Sequence, residues 1–146
     1  KVLRRDAAKI LGMSENRVRA GILGEKATGI INDKRVYGTI LTMALIDSGD
    51  HSIQPDYEKI KGISGYIGDN YPEATRLLLL VDKKETPGFI VSIRAVKTRD
   101  FRTVEVMPIP WTTLKEAAIK IFDSCPNVSR IYYDITPKPP ATIEYE

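Results

Sequence analysis

Leu3, Ala7, Ile10 and Leu11 recur at helical spacing, which predicts a helix over residues 3–11 that Gly12 stops. Ser14 is placed to cap a second short helix running through Val18 and Arg19. Gly21, Gly24 and Gly29 then make the chain too rich in glycine for a stable helix. The apolar, β-branched stretch RVYGTILTMALID (35–47) reads as a strand, with a helix as the alternative. PDYEKIKG (55–62) predicts a short helix with Pro55 in its first position and Gly62 at its end, followed by the loop ISGYIGDNYPEA. RLLLLV (76–81) predicts a buried strand, and the turn KKETPG leads to FIVSIRAVKT (89–98), expected to be its hairpin partner. A further strand, TVEVMPI, is closed by Pro108 and Pro110.

The clearest helical pattern covers 113–124, where Thr113 and Glu116 suggest a capping box. Leu114, Ala117, Ala118, Ile121, Phe122 and Cys125 mark its apolar face, and Pro126 ends it. VSRIYYDI (128–135) and the terminal TIEYE complete the strands. The order β-β-β-α-β-β predicts an α+β two-layer sandwich, a mainly antiparallel sheet with helices on one face, plus a short N-terminal helical extension.

Composition narrows the class. A chain of 146 residues holds one ordinary core with little beyond it, and 42% apolar with 28% charged residues are globular values. No apolar run approaches the roughly 18 residues that span a bilayer, and the amphipathic start KVLRRDAAKI lacks a secretion signal's apolar stretch, so a soluble cytoplasmic protein is expected. One cysteine and one histidine exclude an internal disulfide and a structural zinc site built from soft ligands. The net charge of +3 is uneven: residues 1–35 hold nine basic and four acidic side chains, a net of +5. Every proline lies at or after Pro55 and no glycine follows Gly88.

The carboxy-terminal stretch YDITPKPPATIEYE carries the strongest candidate chemistry. Pro137, Pro139 and Pro140 fix φ and push the residues before them into extended backbone, so Lys138 has little freedom to lose when its ammonium meets an anion. The alternative for these prolines is a plain turn between strands with Lys138 solvated.

This stretch closely resembles the C-terminus of glutamine-hydrolysing GMP synthetase over Tyr133–Ile135 and Lys138–Glu144, with Tyr145 where that family has tryptophan, and Glu146 last. SIRAV (92–96), PNVSRIYYDI and YEKI (57–60) resemble further segments of the family, and AAKILGMSENRV has the rhythm of the end of its ATP pyrophosphatase domain. The resemblance implies that residues 31–146 are a C-terminal dimerisation domain whose last strand holds xanthosine monophosphate (XMP) against the pyrophosphatase domain. Residues 1–30 would then be the helical tail of that preceding domain, or a linker. Carried over, Lys138 pairs with the 5′-phosphate, Glu144 accepts hydrogen bonds from the ribose or base side, and Thr142 and the Ile143 backbone support them. The implied partners are a second copy, an ATP pyrophosphatase domain, a glutamine amidotransferase domain or subunit, and XMP. The implied cofactors are none on this chain alone, with ATP and Mg in the complete enzyme.

The chain departs from the family at several points. The Ser-Gly-Gly-x-Asp-Ser phosphate loop is missing, and Cys125, on a helix's apolar face, is no glutaminase nucleophile, so this chain does not catalyse the reaction alone. AGILGEKATG stands in place of the family's Pro-Phe-Pro-Gly-Pro-Gly connector. Gly62, followed by an insertion, stands where a nucleotide-contacting glutamine is expected. A non-catalytic dimerisation module of a divergent paralogue is therefore an alternative.

Two nucleic-acid readings compete. Ala8, Gly12 and Val18 have helix-turn-helix spacing, although Gly21 and Gly24 leave a short recognition helix. GISG (62–65) supplies the G-x-x-G of a KH-like clamp. Arg94 in mid-strand reads as an outward charge or an interface ion pair, and His51 as a solvated loop residue.

Overall fold

A computed structural model of the chain describes residues 2–31, 34–98 and 104–136. Helix α1 (Val2–Leu11) ends as predicted at Gly12, whose φ of +67° suits glycine. Leu3, Ala7, Ala8 and Leu11 are buried, so α1 shares the main core. Tyr66 Oη–H donates to Asp6 at 2.6 Å, and Lys59 Nζ donates to the Leu11 carbonyl at 3.3 Å. The second of these contacts places a positive charge on the carbonyl end of the helix.

The expected second helix is only a 3₁₀ turn, Glu15–Arg17, with no side-chain cap from Ser14. Strand β1 (Val18–Ile31) follows and pairs antiparallel with β2 (Lys34–Leu45), whose strand reading holds. The glycines that exclude a helix are accommodated in a strand: a register shift between Ile22 and Lys26 absorbs Gly24, and Gly21 faces Thr42. The helical expectation for residues 1–30 thus ends at Arg17. With no second helix, the helix-turn-helix reading falls.

Helix α2 (Tyr57–Asn70) runs through Gly62, Gly65 and Gly68 instead of stopping at the first. Three interior glycines cost about 3 kcal/mol. Ile60, Ile63 and Ile67 are buried at helical spacing and each returns about 1.5–3 kcal/mol. Packing therefore decides the outcome over propensity. Asp56 caps the helix by accepting from the Glu58 N–H at 3.1 Å, and Pro55 lies outside it. GISG is mid-helix, so it is not a clamp loop.

Strands β3 (Ala74–Lys83), β4 (Phe89–Ile93) and β7 (Val128–Asp134) complete a sheet in the order β1-β2-β3-β7-β4. The β1–β2 and β3–β7 pairings are antiparallel, and β2–β3 and β7–β4 are parallel. The expected β3–β4 hairpin does not form, because β7 lies between its two strands. Six residues, KKETPG, are longer than the tight turns that force neighbouring strands together. Burial accounts for the order: β3 is covered on both faces, whereas Phe89 and Ile90 of the edge strand β4 are exposed. FIVSIRAVKT breaks at Arg94 and Ala95, and Val96–Thr98 becomes β5, paired with β6 (Val104–Val106) in a two-stranded sheet.

Helix α3 (Trp111–Ser124) begins two residues before Thr113 and has no capping box. Gln54 Oε1 instead accepts from the Trp111 N–H at 2.8 Å. The Trp111 indole N–H reaches Ser52 Oγ at 3.1 Å, and Ser52 donates to the Val81 carbonyl. Leu114 and Ala118 are buried, while Cys125 is the exposed C-cap residue and not part of the apolar face.

All three helices contribute to one core with Leu41, Leu79, Ile131 and Tyr133 of the sheet. A smaller cluster of Ala27, Ile40, Leu78 and Tyr132 lies apart from it. The fold is α+β with an N-terminal helix, as the element order predicts. No described helix is long and apolar enough to cross a membrane.

Candidate functional site

The Tyr-Asp-Ile run at the end of β7 does three different jobs. Tyr133 is fully buried, and its hydroxyl reaches the carbonyls of Met107 at 2.6 Å and Ala95 at 3.1 Å. Asp134 is fully buried and faces Arg76 of β3, Nε to Oδ2 at 3.3 Å, with neither side chain exposed. Ile135 is core, and its N–H donates to the Leu77 carbonyl at 3.0 Å.

Tyr57, the first residue of α2, donates its hydroxyl to the Ile109 carbonyl at 2.7 Å. Phenols from α2 and β7 thus hold the Met107–Ile109 backbone, which follows β6. Burial pushes the Tyr57 hydroxyl up to about 12. It raises Tyr133 further, helped by the neighbouring Tyr57 and Asp134. Both stay protonated donors at neutral pH.

Between these supports lies a cavity of about 380 Å³. Tyr57, Glu58, Ile60, Lys61 and Ser64 form the α2 wall, Glu105, Val106 and Pro108 the β6 wall, and Ile135 closes the end. Its size suits a small molecule. Apolar groups dominate the interior, while the charged Glu58 and Lys61, paired at 3.5 Å, are largely exposed. YEKI and YDI, far apart in the chain, both contribute to this cavity.

Lys138, Thr142, Ile143 and Glu144 lie outside the described residues. Their point of departure is within them: Thr136, the residue before Pro137, is buried beside Ile135. Sequence reasoning missed Arg76 and Thr136. The available signal was an arginine at the head of an apolar strand run, which demands a buried acid. Arg94 is half-buried between β4 and β5, with Nε and Nη2 enclosed and the side chain engaged in an interaction, so it is not a simple outward charge. His51 is exposed, as expected, and sits 3.4 Å from Asp47.

A larger cavity, about 450 Å³, includes Arg19, Asp50, Lys83 and Arg130 in its lining, but none of Tyr57–Ile60 or Tyr133–Ile135. Asp50 already pairs with Arg19 at 2.8 Å and Lys83 at 3.6 Å, so part of its charge is internally compensated. Among the described residues no group of three or more His, Cys, Asp or Glu gathers to hold a metal ion.

Residues 79–145 match the family described as GMP synthase C terminal domain. Over that span the chain is similar to this family. A glutamine-hydrolysing GMP synthase subunit from Methanocella arvoryzae is 51% identical over 59 residues, 40% of this chain and 19% of the relative. The corresponding protein of Methanosarcina acetivorans is 52% identical over the same length. That of Saccharolobus solfataricus is 33% identical over 122 residues, 83% of this chain and 30% of the relative. The chain therefore spans less than a third of the length of these relatives. At 122 residues the third match is longer than the family span, so the likeness reaches into the part of the chain before β3 or into its first residues.

Proposed function

We propose that this chain serves as the C-terminal domain of a GMP synthase, forming a homodimer and contributing XMP contacts to the ATP-dependent amination of XMP to GMP. The observation that carries this reading is the meeting of Tyr57 and Ile60 with Ile135 at one cavity, from which the chain leads through Thr136 to Lys138. The charge pattern agrees with it. The carboxylates of Glu58 and Glu105 would repel a phosphate and accept from ribose hydroxyls or base N–H groups. Lys61, the cation in the cavity wall, is paired with Glu58 at 3.5 Å, so this reading gives the phosphate to Lys138, which the sequence sets between prolines. ATP, Mg and ammonia from glutamine would be handled by the pyrophosphatase and amidotransferase parts. Exposed Phe89 and Ile90 on edge strand β4 suit self-association.

The test is steady-state amination by the assembled synthetase carrying Lys138→Ala. A lost charge-assisted contact of about 1.5–3 kcal/mol raises KM for XMP roughly 10- to 100-fold, leaving KM for ATP unchanged. An unaltered KM for XMP would reject the role of Lys138.

One observation favours a second reading, a dimerisation module without nucleotide contact. A side chain begun at Gly62, where the family's glutamine is expected, would meet Ile10 at 3.3 Å, so this position is turned toward α1. Sedimentation showing a dimer together with calorimetry showing no XMP binding would select that reading.

A further inference from the structure

We propose that the larger cavity is a binding site for a small diphosphate-bearing ligand, held by Arg130, Lys83, Lys115 and Arg19. This inference is independent of the reading given to the smaller cavity. Separate elements bring these cations to one hollow of about 450 Å³: Arg19 comes from β1, Lys83 from β3, Lys115 from α3 and Arg130 from β7. A hollow of that size admits a small molecule. Leu80 and Tyr132 add apolar lining, so the ligand's body has room beside its phosphates.

The sheet register points to an anion. Lys83 and Arg130 stand directly opposite each other on β3 and β7. Like charges in that position repel and destabilise the strand pair. Their surroundings relieve this only in part. Asp50 pairs with Arg19 at 2.8 Å and with Lys83 at the longer 3.6 Å, so one carboxylate serves two cations. Arg130 and Lys115 have no hydrogen bond or ion pair among the described residues. Two further carboxylates line the hollow without pairing with them: Asp82 accepts from the Lys83 N–H at 2.8 Å, and Glu85 lies just beyond β3. His51, also in the lining, sits against Asp47. The positive surplus is therefore at Lys115 and Arg130. A single phosphate would meet the opposed pair and leave Asp50 in place. A diphosphate carries enough charge to satisfy Lys83 and Arg130 and also to draw Arg19 from Asp50, through charge-assisted contacts that a guanidinium makes well.

The experiment is a nuclear magnetic resonance titration of inorganic pyrophosphate into the isotopically labelled 146-residue chain at neutral pH, with inorganic phosphate as the comparison. Amide signals of Arg19–Gly21, Gly49–Ser52, Lys83 and Arg130 should move together, while those of Tyr57–Ser64 stay in place. Pyrophosphate should bind about tenfold more tightly than phosphate, and Arg130→Gln should weaken it about tenfold, each the effect of one charge-assisted contact. Lys115→Gln should weaken it in the same direction. Asp50→Asn should tighten it about threefold, because Arg19 and Lys83 lose their internal competitor. Arg5→Gln removes an exposed cation outside the cavity and should change the affinity by less than about twofold. Equal affinities in wild type, Arg130→Gln and Arg5→Gln would reduce the binding to net charge and overturn the proposal, as would shifts confined to Tyr57–Ser64. Equal affinities for phosphate and pyrophosphate would overturn the diphosphate assignment, and weaker binding in Asp50→Asn the competing role of that carboxylate.

Discussion

Arg76–Asp134 and Arg19–Asp50 pair the same chemical groups, at 3.3 Å and 2.8 Å, in opposite surroundings. The first is wholly buried next to Ile135 of the smaller cavity. The second is 55% and 48% exposed at the rim of the larger one. The shorter contact is the weaker device, because water screens it and competes for both partners. Inside the sheet neither charge has water to return to, so each depends on the other. Cavity volume and contact distance both single out the Arg19–Asp50 region, which the proposed function does not use. Burial and the convergence of distant segments point to the end of β7.

Asp134→Ala makes the sharpest break in this comparison. It strands the Arg76 guanidinium and should lower the unfolding free energy by about 3–5 kcal/mol in a urea titration. A loss below about 1 kcal/mol would make the two pairs equivalent. Tyr133→Phe tests the support behind the cavity wall. It removes the donor to the Met107 and Ala95 carbonyls and should cost about 1–3 kcal/mol by the same titration. Asp50→Asn tests the exposed pair. Asn tolerates the positive φ of 65° found there, so the loss should stay within about 1 kcal/mol and shrink with added salt.

The smallest effect concerns Asp6, a partly exposed carboxylate whose pKa is lowered first by the hydrogen bond from Tyr66 and then by Arg5. A depressed folded-state pKa gives stability that is present above the unfolded value and is lost as pH falls through the folded one. Between neutral pH and pH 3, Tyr66→Phe should therefore lose less stability than wild type. Equal losses in urea midpoints would show that this contact contributes nothing.

How much of this was legible in the sequence follows from where local and tertiary forces agree. α1, β2, β3, β7 and the body of α3 were readable because their apolar periodicity is also their burial pattern. β1 was not, since glycine excludes a helix without announcing a strand, and its partner β2 supplies the pairing. Local propensity stops α2 at Gly62, whereas Ile63 and Ile67 continue its buried face and carry the helix on. The insertion after Gly62 is two further helical turns and not a loop. Strand order escaped because no turn type dictated it. Of the site, YEKI and YDI were recognised as segments, but their meeting is a product of topology. The Arg76–Asp134 pair needs both strands in place to be seen at all.

Amide hydrogen exchange on the assembled synthetase, with and without XMP, tests most directly the proposal that the nucleotide meets this domain at the end of β7. The account predicts slowed exchange in Tyr57–Ser64, in Glu105–Met107 and at Thr136, with Arg19–Gly21 and Gly49–Ser52 unchanged. Protection confined to the Arg19 and Asp50 cavity, or to neither, would contradict it.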